Sequence, residues 1–181
     1  MNLTNYYWYF QSAVPARICD EIVKYGKSIS DQMAVTGGMG NKNLNQKQIK
    51  DLKKKRDSNI VWMNDRWIYK EIQPYVHQAN ANAGWNFQWD FSESCQFTKY
   101  EKGQFYDWHC DGWDRPYQRQ EGDPSNGKIR KLSVTVSLSD PKDYKGGELE
   151  FDFRNMDPDK KPNIRKCTEI LPKGSLVVFP G

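Results

Sequence analysis

The chain lacks any run near the roughly 18 consecutive apolar residues that a membrane span requires. Met1 is followed by polar and aromatic residues rather than by a basic and then apolar leader. A soluble, cytoplasmic protein is the expectation. There is no CxxC pair: the four cysteines, Cys19, Cys95, Cys110 and Cys167, are scattered. That excludes a disulfide-stapled scaffold and makes reduced thiols the default. Histidine is scarce, at two residues, and the net charge is only +4. At 181 residues, the chain has room for one domain with a real core and little room for a second.

Aromatic residues are abundant, at 14% beside a hydrophobic fraction of 37%. Burial must therefore lean on large rings placed on half-buried strands, a β-rich signature. The run Tyr6 to Phe10 suits a strand, and Pro15 then suits the first turn of a helix. From Ala16 to about Ile29, Ile18, Ile22, Val23 and Ile29 recur at helical spacing. Residues 36–55 are rich in Gly and then in Asn, Gln and Lys, with almost nothing to bury. They are expected to form a flexible loop or lid, with a transient helix near 46–54. The basic cluster of Lys50, Lys53, Lys54, Lys55 and Arg56 reads as a solvated face.

Order returns in the strand pattern 59–63, followed by a helix capped by Asn64 or Asp65 and carrying Trp67, Ile68, Ile72, Val76 and Ala79. Pro74 predicts a kink or a break there. Beyond Gly84, residues 85–91, 95–100, 104–109, 132–138, 147–153, 168–171 and 175–179 read as strands divided by turn residues. Helices followed by a run of strands predict a β-rich α+β fold, with the strands in a sandwich or jelly-roll barrel.

His77, in the second predicted helix and without acidic neighbours in sequence, reads as structural or surface-exposed. His109 stands in Tyr106-Asp107-Trp108-His109-Cys110-Asp111. If that stretch is an extended strand, His109 and Asp111 project from one face. An imidazole and a carboxylate so placed can take two positions on a metal, and one further histidine completes the facial triad of a non-haem iron(II) site. The pair alone reads equally well as a surface turn.

The surroundings carry more. Glu93 to Tyr100, Gly103 to Tyr106, and then His109 and Asp111 resemble the metal-strand signature of the prolyl 4-hydroxylase family of iron(II)/2-oxoglutarate-dependent dioxygenases. Arg130 to Leu138 resembles that family's next strand, Gly146-Gly147-Glu148 its GGE turn, and Lys173 to Phe179 the strand leading toward its distal ligand. Arg56-Asp57-Ser58 followed by Trp62 resembles the edge of its peptide-binding loop.

The resemblance implies a double-stranded β-helix (jelly-roll) core supported by N-terminal helices. It also implies iron(II) on His109 and Asp111, and 2-oxoglutarate hydrogen-bonded by Tyr100. Tyr106 and Arg130 would face the target residue, and Arg56, Ser58, Trp62 and Glu93 would line a groove for an extended peptide. The implied reaction hydroxylates a proline-containing peptide or protein with O2, converting 2-oxoglutarate to succinate and carbon dioxide, with ascorbate as reductant.

Two departures stand out. The family's third iron ligand, a histidine past the last strand, and its basic anchor for 2-oxoglutarate have no counterpart in residues 1–181. The expectation is a single oxygenase domain lacking its C-terminal end. Leu149 stands where some relatives carry a hydroxyl, and a leucine cannot hydrogen-bond there. The alternatives are a catalytically incomplete jelly-roll module that binds peptides, and a nucleic-acid demethylase of the same superfamily; the small net charge disfavours nucleic acid.

Overall fold

The structure is a computed structural model, and it describes residues 5–35, 43–112, 114–154, 157 and 159–181. It is mixed and β-rich with few helices, as the sequence pattern predicts. The described residues form two compact units. The first draws on Met1–Val23, Arg66–Phe91 and Asp111–Gly181, the second on Lys24–Asp65 and Ser92–Cys110.

The first unit is built on an antiparallel sheet in which β10 (Leu176–Pro180) lies between β1 (Trp8–Phe10) and β7 (Leu132–Val136). Trp8 faces Val178 on one side and Val134 faces Val178 on the other. Leu176, Val177 and Val178 are fully buried. A continuous apolar run is what a central strand covered on both faces needs, and each such side chain contributes about 1.5–3 kcal/mol.

Val14 and Gly174 meet at the sheet's end, where Val14 N–H donates to the Gly174 carbonyl over 2.9 Å. Gly174 has φ +79°, and a Cβ there would sit 2.0 Å from the Val14 oxygen, so no other residue fits. Helix α1 (Ala16–Ser28) buries Ile18 and Ile22 of the stripe its spacing predicts, with Cys19 beside them, and ends just before Ile29.

A second apolar centre joins Tyr7, Phe153, Cys167, Ile170 and Val177, with Tyr6, Leu149, Phe151 and Phe179 packed around it. Tyr6 stacks on Phe153 at 4.1 Å and Tyr7 on Phe151 at 5.0 Å. Leu149 is thus spent on the core. The Tyr7 hydroxyl accepts from Arg165 Nε over 2.8 Å and donates to Glu169 over 3.3 Å. Arg165 also pairs with Glu169 at 2.6 Å.

In the second unit, β4 (Asn59–Met63) pairs with β2 (Gln32–Met33) and β5 (Cys95–Lys99). Ile60, Val61 and Met63 are buried, while Trp62 is 50% exposed. Helix α2 (Gln46–Lys53) stands where a transient helix was expected within the 36–55 loop. An Asn45–Gln48 capping box starts it, and the buried Leu52 ties it down. The rest of the expected lid, at 36–42, lies outside the described residues. In the basic cluster, Lys53 pairs with Asp57 and Lys54 with Asp51.

Other expectations are corrected. Helix α3 (Arg66–Asn82) runs unbroken through Pro74. Residues 85–91 alternate in burial but form no strand, because the backbone is turned and clamped instead. Gly84 and Asn86 have positive φ, and the Asn80 amide bonds both the N–H and the carbonyl of Phe87, at 3.0 and 2.8 Å. His77 stacks on Trp89 at 4.5 Å, in keeping with a structural role. Residues 168–171 form a single 3-10 turn, Thr168–Ile170, and the strand lies earlier, as β9 (Ile164–Lys166) paired with β8 (Glu150–Asp152). Among the described residues, no helix is long and apolar enough to cross a membrane.

Candidate active site

The strand expected over 104–109 is only Phe105–Tyr106 (β6), so His109 and Asp111 do not sit on a strand. The reason is local. The Asp107 carboxylate accepts from Trp108 N–H over 2.8 Å, and Asp107 N–H is bonded to the Lys55 carbonyl over 2.8 Å. An Asp that bonds the backbone just after it turns the chain out of extended geometry. The His109 ring answers with its own contact, Nδ1 lying 2.7 Å from the Asp107 carbonyl oxygen. A carbonyl only accepts, so Nδ1 carries the proton and the lone pair of a neutral ring resides on Nε2. That tautomer suits a metal ligand, which is commonly oriented by a bond from its other nitrogen.

His109 is exposed, yet its ring is held. It stacks on Tyr106 with centroids 3.6 Å apart and planes 14° from parallel. The Arg56 guanidinium carbon stands 4.3 Å from the same Tyr106 centroid. Two groups so close to one centroid would collide on a single face, so they occupy opposite faces of the phenol. Strand pairing sets this up, because β3 (Arg56–Asp57) places Arg56 directly opposite Tyr106. Arg56, 6% exposed, donates from Nε to Ser58 Oγ over 2.9 Å and from Nη1 to Gln96 over 3.4 Å. Ser58 is fully buried.

In the first unit, Arg130 donates from Nη1 to the backbone carbonyl of Asp111. Gly112 touches the end of β10, since a Cβ there would lie 2.4 Å from the Gly181 carbonyl carbon. Gly181 N–H donates to Lys131 over 3.0 Å.

Among the other expected site residues, Trp62 and Tyr100 are about half exposed, at 50% and 49%, and Glu93 is exposed. Tyr106 and Arg130 are half-buried. Among the described residues, no three His, Cys, Asp or Glu side chains come together in a way that could hold a metal. Sequence reasoning missed Asp107, Gln96 and Gly112. Asp favours turns because its side chain can bond the nearby backbone, whereas nothing in the sequence marks Gln96 as a partner of Arg56.

Residues 95–181 match the family described as the 2OG-Fe(II) oxygenase superfamily. Over 85 residues the chain is 35% identical to the PKHD-type hydroxylase YbiX of Escherichia coli (strain K12 / DH10B) and to that of Escherichia fergusonii. The alignment takes in 46% of this chain and only 31% of those proteins. In three dimensions the chain resembles a viral collagen prolyl hydroxylase from Paramecium Bursaria Chlorella virus-1, solved as a 2OG complex. The TM-score is 0.59 at 21% identity, over 97% of this chain and 77% of that one. It resembles a Pseudomonas putida prolyl-4-hydroxylase with a TM-score of 0.61 at 16% identity, over 99% and 83%.

Proposed function

We propose that this chain is an iron(II)- and 2-oxoglutarate-dependent dioxygenase acting on a peptidyl proline, a reading supported by the match of residues 95–181 to the 2OG-Fe(II) oxygenase superfamily and by the likeness in fold to two prolyl hydroxylases. The strands would form the jelly-roll core of that family. The observation that carries the reading is His109: an exposed imidazole held by Tyr106 and Asp107 with its lone pair on Nε2, two positions before Asp111 in the sequence.

The donor set fits two of the three protein positions of a facial triad, as an imidazole and a carboxylate. Iron(II) with 2-oxoglutarate and O2 would supply the oxidation, the cosubstrate leaving as succinate and carbon dioxide and a C–H bond of the target becoming C–OH. This chain's residues have the positioning tasks. Tyr106 supports His109, Arg130 holds the Asp111 backbone, and the Tyr100 hydroxyl would donate to the cosubstrate's distal carboxylate, a charged acceptor that strengthens the bond. Trp62 and Glu93, both exposed, would meet the peptide. Ascorbate would keep the iron reduced.

A peptide-binding module without turnover is the second reading, favoured by the lack of a three-donor group among the described residues. Anaerobic titration with iron(II) and 2-oxoglutarate separates the two. A saturable visible charge-transfer band, lost in His109→Ala, is expected, followed by succinate formation that rises with a proline-rich peptide. Peptide binding without a band, and without 2-oxoglutarate consumption, sinks the enzyme reading.

A further inference from the structure

Burying a guanidinium costs free energy unless its donors are matched, and an aliphatic side chain would fill the same space without that cost. Arg56 is nevertheless buried, with Ser58 and Gln96 satisfying donors on its rim and its flat face laid on Tyr106. A planar, permanently charged group backing a phenol is a specific arrangement that lysine or an apolar residue does not reproduce. The far face of that phenol carries His109 at 3.6 Å. An exposed histidine otherwise samples several rotamers, and any function needing one orientation would bear that entropy at every binding event.

We propose that Arg56 is a positioning residue for His109: acting through Tyr106, it fixes the plane and direction of the imidazole before any metal arrives. The use of that orientation rests on the iron reading above; the orientation itself does not. Arg56 fixes Tyr106 from one face, the Arg56–Tyr106 register prevents the ring from sliding, and the Asp107 carbonyl stops the imidazole from flipping. The held imidazole can then bind a metal with little ordering left to do.

The test is the histidine-ring proton–carbon NMR spectrum of the whole metal-free chain, with His109→Asn to assign signals and His77 as internal reference. In the parent chain, the His109 ring protons should be displaced upfield by the Tyr106 ring current. In Arg56→Met, which keeps the length and removes the guanidinium, they should move toward free-histidine positions and broaden, while His77 stays fixed. Cobalt(II), used as the metal probe, should bind roughly tenfold more weakly to that variant.

If Arg56→Met does not fold, Ser58→Ala decides, because it keeps the arginine and removes its Nε anchor; the same displacement is expected. Unchanged His109 signals in a folded variant, or His77 moving as far as His109, overturn the proposal. Should the parent chain bind neither iron(II) nor cobalt(II), the iron reading fails, and the metal-free spectra still decide the role of Arg56.

Discussion

Arg130 and Asp111 are joined through the backbone: the guanidinium donates to the Asp111 carbonyl, so its hold is on the chain that carries the carboxylate. Residues that orient metal ligands typically change metal affinity 10–100-fold when lost. Arg130→Met is expected to weaken cobalt(II) binding by about tenfold. It should lower peptide hydroxylation and peptide-independent 2-oxoglutarate decay together. A loss confined to the peptide-dependent rate would instead give Arg130 a direct contact with the substrate.

Gly112 has no room for a side chain. The atom a Cβ would strike is backbone, at Gly181, which cannot swing aside as a flexible side chain would. Gly112→Ala should cost about 1–3 kcal/mol, the usual range for overpacking, seen as a lower urea midpoint. Wild-type stability in that variant would mean that the end of β10 moves away without penalty.

Acid should weaken the Tyr7–Arg165–Glu169 cluster. Burial pushes the Glu169 carboxyl up, but backbone N–H donors and the Arg165 guanidinium outweigh it and leave it below its ordinary value of 4.5. A carboxyl depressed on folding contributes stability above its unfolded value and loses it as pH falls through the folded one. Glu169→Gln should be less stable by about 1–2 kcal/mol at neutral pH. The gap to the parent should close as pH drops below 4.5. A gap constant with pH would show that charge is not what holds the cluster.

The cysteines should separate by reactivity. Cys110 is exposed, whereas Cys19 and Cys167 are buried. Burial, reinforced by the Glu169 charge, pushes the Cys167 thiol up to about 11. At about pH 8, iodoacetamide should modify Cys110 first and leave Cys167 intact in the folded chain. Peptide mass spectrometry checks the order; early labelling of Cys167 would place it at the surface.

Where periodicity was strong, the sequence was a good guide. The Ile18–Ile22 stripe of α1, the strand β4 over 59–63 and the buried run of β10 are all present. Where pairing decided the outcome, composition misled. Residues 85–91 alternate as a strand would, but Asn80 takes the Phe87 backbone groups, and a strand needs a partner. Ile164-Arg165-Lys166 carries little apolar signal and is a strand because Glu150–Asp152 lies beside it.

At the site, the His109–Asp111 spacing was visible in the sequence, but the turn at Asp107 was not anticipated. Nor was the burial of Arg56 and Ser58, since a charged and a hydroxyl residue read as groove surface until their mutual bond is known.

The pairing of Trp8 with Val178 has a consequence for how the molecule is made. During synthesis the strand Trp8–Phe10 emerges well before Leu176–Pro180, the strand it pairs with, and contacts of such high sequence separation form slowly. Until then, its backbone is an open edge able to pair with a neighbouring nascent chain. Yield in a cell should therefore depend on chaperone supply more than the finished protein's resistance to denaturant would suggest.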